Sequence, residues 1–158
     1  MESPIAIANY FINKSLFEGV ELTPMKVLKL VYLAHGWNLG LKDKPLLIEA
    51  VQAWKYGPVV KSVYESFKKY KDGPIDSLAL DFQIGTYAVP DDEPTKLLLD
   101  KVWVVYKDYS GLELSTLTHE KGSPWDIVWN KEGGKNKMSA IIRNDLIADF
   151  YKKKANLS

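Results

Sequence analysis

His35 and His119 are the only histidines of the chain, and imidazole is the side chain best suited to proton transfer or metal ligation near neutral pH. Either use needs a carboxylate, which Glu113 or Asp126 could supply for acid–base or metal-assisted hydrolysis. The local setting favours structural roles. His35 shares a helical face with Leu28 and Leu39, and His119 follows Leu117-Thr118 at a helix end, where an imidazole can bond terminal carbonyls. Asp91-Asp92 precedes a helix and reads as capping and solvated charge, while Ser115, Ser123 and Ser139 have no base beside them. There is no phosphate-cradling Gly-rich loop and no G-x-S-x-G elbow; Gly133-Gly134 with Lys135 and Lys137 reads as a flexible basic turn. With no cysteine, disulfides, thiolate zinc sites and thiol nucleophiles are excluded. The residues make no case for an enzyme, a metal or a cofactor.

Composition narrows the class further. A chain of 158 residues with 46% hydrophobic and 26% charged residues is expected to form a single soluble domain spanning 1–158. Its net charge is +1, and Arg143 is its only arginine. A dedicated duplex binder carries a larger basic excess and uses Arg to read phosphates and guanine edges, so nucleic acid is disfavoured as a partner. The N-terminal MESPIAIANYF has no basic region before its apolar residues, and no apolar run approaches the roughly 20 residues of a membrane span. The expected location is the cytoplasm, with no membrane partner.

The elements that must position these residues are mostly helices. Ser3-Pro4 starts one carrying Ile5, Ala8, Ile12 and Leu16, and Gly19 stops it. Thr23-Pro24 repeats the signal and opens a helix apolar on nearly every side, the expected core of the domain. Leu28, Tyr32, His35 and Leu39 share one face of it, and Lys26, Lys29, Leu33 and Trp37 the opposite one. Gly36 and Gly40, four apart, allow another element a close approach. Leu46 to Tyr56 reads as extended, and Gly57-Pro58 as the start of an amphipathic helix with Val59, Val60, Val63, Tyr64, Phe67 and Tyr70 inward. Ile75 to Asp92 is less regular, with room for a short helix and an extended piece near Ile84 to Val89. A helix from Pro94 carries Leu98, Val102, Val105 and Tyr109. Ser110 with Glu113 forms a capping box for a short helix, Ser123-Pro124 starts another, and Asn144 caps a last one with Leu146, Ile147, Phe150 and Tyr151. The expected fold is mainly α, a compact domain of six or seven helices with minor β content.

Three motifs carry a resemblance. Thr23-Pro24-Met25-Lys26 with Leu28-Lys29-Leu30 and Tyr32-Leu33-Ala34-His35-Gly36-Trp37 resembles the opening motif of the Panacea domain family, the SocA-like antitoxins. Ala53-Trp54-Lys55-Tyr56-Gly57-Pro58-Val59-Val60 with Val63-Tyr64 resembles its second signature, and Leu117-Thr118-His119 with Ser123-Pro124-Trp125 its third. They stand in the family's order and spacing, and the resemblance runs from about Ser3 to Tyr151. It implies a small helical antitoxin encoded beside its toxin, often on a prophage or mobile element. Such a protein neutralises a protein toxin by binding it, or delivers it to a protease as an adaptor.

Two surfaces are candidates for a partner. One is the face with Lys26, Lys29, Leu33 and Trp37, where an indole beside two ammonium groups could anchor a contact, unless Trp37 packs inward and the lysines snorkel. The other is the corner Trp54-Lys55-Tyr56-Gly57-Pro58, where one aromatic is expected in the core and the other exposed. The alternatives from other classes are a nucleic-acid-binding regulator using Lys135, Lys137, Arg143 and the lysines at 152–154, and a hydrolase centred on His119.

Overall fold

The computed structural model describes residues 1–157. Local signals set most of its helix boundaries. Helix α1, Pro4–Glu18, follows Ser3 and ends at Gly19, whose φ of 70° turns the chain so that the Val20 N–H reaches the Ser15 carbonyl at 3.0 Å. In α2, Pro24–Lys42, the Thr23 hydroxyl accepts from the Lys26 N–H, and Asp43 terminates the helix in the left-handed region at φ 57°. Helix α4, Glu93–Tyr106, is capped by Asp92, and α5, Gly111–Thr118, by the reciprocal Ser110–Glu113 box. Ser123 caps the single turn α6, Pro124–Asp126, which continues as a wider π-type turn over Ile127–Lys131. The last helix, α7, spans Asn144–Leu157. With α3, Lys61–Phe67, seven α-helices are present among the described residues.

A small antiparallel sheet completes the fold, in the order β2-β1-β3, from β1 (Val51–Trp54), β2 (Gly57–Val59) and β3 (Ile141–Ile142). Trp54 pairs with Gly57 and Gln52 with Val59, so β1 and β2 form a hairpin whose tip is Lys55-Tyr56. This corrects the expectation that Gly57-Pro58 opens a helix. Gly57 sits at φ 117°, which no α-helix accepts, and the Pro58 carbonyl is taken by a lysine from α2 instead of by an N–H four residues on. The helix starts at Lys61, and the Glu49 carboxylate receives its Ser62 N–H at 3.0 Å.

Two further expectations are corrected. No short helix forms between Ile75 and Asp92; that stretch is tied down by the Asn9 carboxamide, which donates to the carbonyls of Ala79 and Ala88 and accepts the Ala79 N–H. On α4 the inward face is Leu98, Leu99, Val102, Trp103 and Tyr106, while Val105 is exposed and Tyr109 lies beyond the helix.

The central element is α2, buried along most of its length, and α7 lies along it. The glycine pair explains the closeness. A Cβ on Gly36 would lie 2.5 Å from the Tyr151 ring, and one on Gly40 only 2.7 Å from the Tyr151 carbonyl carbon. The ring of Tyr151 also meets Trp37 edge-on at 5.1 Å. No helix among the described residues is long and apolar enough to cross a membrane.

Because backbone atoms cannot rotate out of the way, Gly40→Ala is expected to destabilise the protein by about 1–3 kcal/mol. A urea titration measures it, and an unchanged midpoint would contradict this packing.

Candidate functional site

Histidine 35 is a core strut. It is 1% exposed; its Nδ1 accepts the N–H groups of Leu46 and Leu47, both at 3.3 Å, and its Nε2 donates to the Asn144 Oδ1 at 2.9 Å. That pattern requires the neutral Nε2-protonated tautomer, and burial pushes its pKa down. His119 lies edge-on to Trp125 at 5.2 Å. Its candidate carboxylates serve elsewhere: Glu113 closes the α5 capping box, and Asp126 accepts from the Gly122 N–H and the Asn130 carboxamide. The one serine near it, Ser115, lies 3.4 Å from Nδ1, but its hydroxyl donates to the Tyr56 carbonyl at 2.7 Å. Arg143 forks onto Glu132 at 3.0 and 3.2 Å, and Lys152 pairs with Asp43 at 2.8 Å.

Of the residues singled out as a docking face on α2, three lie inside. Leu33 is 1% exposed. Lys26 is buried and donates to the Lys107 carbonyl. Lys29, also 1% exposed, donates from Nζ to the Pro58 carbonyl at 2.9 Å. Burial alone pushes the Lys29 ammonium down to about 7, and burial also lowers Lys26. Trp37 reaches the surface only in part and donates to the Tyr106 hydroxyl at 2.9 Å.

The hairpin corner is where the three motifs meet. Trp54 is half-buried, its indole edge-on to Tyr64 at 4.9 Å, while Tyr56 is 60% exposed. The backbone between them is held at alternate carbonyls by donors from three different helices. Trp125 of α6 donates its indole N–H to the Trp54 carbonyl at 2.6 Å, Ser115 of α5 reaches Tyr56, and Lys29 of α2 reaches Pro58. Gly57 lets the lysine in, since a Cβ there would stand 3.0 Å from Nζ. Beside this corner, Tyr64 lines a groove of about 640 Å³ with Pro24, Met25, Leu28 and Leu112. Sequence reasoning passed over Ser115 and Trp125 as parts of this site. The signal available for Ser115 was a hydroxyl on the helical face that also carries Leu114 and Thr118.

These shared contacts are what the three motifs have in common, and comparison with known proteins names the class they define. Residues 27–126 match the family model described as Antitoxin SocA-like, Panacea domain, and the chain belongs to that family of antitoxins. Among individual proteins, it is similar to Antitoxin SocA of Caulobacter vibrioides (strain NA1000 / CB15N), with 28% identity over 152 residues covering 93% of this chain and 81% of the relative. No solved structure matches the chain.

The buried lysine sets a pH dependence with a definite sign. Folded, Lys29 titrates near 7; unfolded, it returns to about 10.4. Between these values the unfolded chain binds more protons, so stability rises with pH across that window and is flat with respect to this group below it. Lys29→Met is expected to remove about 1 kcal/mol per pH unit of that rise between pH 7 and 9. Urea denaturation of both proteins at the two pH values reads the difference; parallel profiles would contradict a deprotonating Lys29.

Proposed function

We propose that this protein neutralises a cognate protein toxin by binding it directly, in the cytoplasm, without a cofactor and without turnover. The observation that carries the reading is family membership over residues 27–126, joined to a relative named as an antitoxin that aligns over 93% of this chain and 81% of its own length. The chemistry of the chain agrees with it. Both histidines are engaged in packing or backbone contacts, and the motif residues hold a surface feature in place. Trp37, Trp54 and Tyr56 are the members of the candidate docking set that reach solvent, and aromatic residues of this kind dominate binding energy at interfaces. The toxin is expected to be the product of an adjacent gene.

Expression of the neighbouring gene alone is expected to arrest growth, and co-expression of this chain to restore it in proportion to the amount of antitoxin made. The two proteins are expected to co-elute in size-exclusion chromatography. A harmless neighbour, or a toxic one that is neither rescued nor bound, overturns the proposal.

A further inference from the structure

We infer that the two-residue tip of the β1–β2 hairpin, Lys55 and Tyr56, is the element that enters the toxin, and that it takes a pocket with apolar walls and a carboxylate at its rim; this rests on the direct-binding reading above. The tip is built outward. Tyr56 is 60% exposed, and Lys55 is exposed with its Nζ 5.5 Å from the Tyr56 ring centroid, so a cation and an aromatic face are presented together. Lysines 14, 68, 96, 107 and 152 each lie against a carboxylate of this chain. Lys55 is in no such pair among the described residues; other surface lysines share that, and what sets Lys55 apart is its place beside the exposed Tyr56 on a pinned turn, where a carboxylate of the partner would meet its charge.

The backbone beneath the tip points the same way. Carbonyls 54, 56 and 58 are pinned by Trp125, Ser115 and Lys29. An ordinary two-residue hairpin turn needs no such support from three helices. A turn immobilised before encounter loses little conformational entropy on docking, which is the advantage of preorganisation. The half-buried Trp54, packed on Tyr64, gives the tip an aromatic foot that can close the edge of the contact against water. Since the pins act on backbone carbonyls, side chains 55 and 56 can change without loosening the turn, so they can set which toxin is accepted.

The test uses the full chain and the purified product of the adjacent gene, with affinities from titration calorimetry at two salt concentrations. Tyr56→Ala is expected to weaken binding by about 30-fold or more, the loss typical of an interface hot spot. Lys55→Glu is expected to weaken it at least about tenfold. Lys55→Met should flatten the salt dependence of binding, as removal of an exposed charge pair requires. Thermal midpoints of all three variants should stay within a few degrees of the parent. Binding by both Tyr56→Ala and Lys55→Glu within threefold of the parent overturns the assignment to the tip while direct neutralisation stands. An unchanged salt dependence in Lys55→Met overturns the carboxylate. A parent protein that does not bind the toxin overturns the direct-binding reading and the tip with it.

Discussion

One nitrogen atom inside the core connects the central helix to the hairpin turn that the three motifs hold in common. The Nζ of Lys29 crosses from α2 to the Pro58 carbonyl, in a space that exists because residue 57 has no side chain. A buried ammonium without a carboxylate is costly. Here the cost is limited, because the amine titrates near 7 and the neutral form still carries donors for the same carbonyl. An arginine could not replace it: the guanidinium does not deprotonate, and it would bring five donors to one acceptor. The lysine serves as a long-reach hydrogen-bond donor more than as a charge.

The same logic extends along α2. Its buried polar residues are Lys26, Lys29, His35 and Asn38, and each serves the backbone of a non-helical stretch. Lys26 takes the carbonyl of Lys107 just past α4, Lys29 that of Pro58, and Asn38 that of Lys44, while His35 receives the N–H groups of Leu46 and Leu47. Irregular segments packed against a core have no helix or sheet ladder to satisfy their polar groups, so side chains must do it. Polar residues on an otherwise apolar helix are thus the means by which that helix fixes the loops around it. The motifs of this antitoxin family are, in this chain, largely a description of those attachments.

That also explains what could be read from sequence and what could not. The caps at Thr23, Ser110 and Ser123 were legible because a cap is decided within four residues. The mainly helical fold and the close approach at Gly36 and Gly40 were legible for the same reason of regular spacing. The lysine face was not. A helical wheel sorts residues by direction and is silent about depth, and α2 is covered on both sides. Gly57-Pro58 carries the local signature of a helix start, yet its conformation is set by a donor 29 positions along the chain and a turn clamped by α5 and α6. Long-range bonds of that kind leave no periodic trace. The aromatic corner was visible as a cluster, but not its orientation: two residues apart, Trp54 and Tyr56 would share a face in a continuous strand, and they diverge because β1 ends at Trp54 and Tyr56 lies in the turn.

The seat of Tyr151 between Gly36 and Gly40 has a consequence for when this protein becomes competent. The groove lies on the second helix, and the ring that fills it comes from the last one. During synthesis α2 leaves the ribosome long before α7, and until α7 arrives one side of α2, with the Asn144 partner of His35, is missing. The fold therefore cannot close around α2 until α7 has been made. A chain that stops short of Tyr151 leaves the glycine groove and the flank of Trp37 bare, so the docked partner of α2 is set by a segment made more than a hundred residues later.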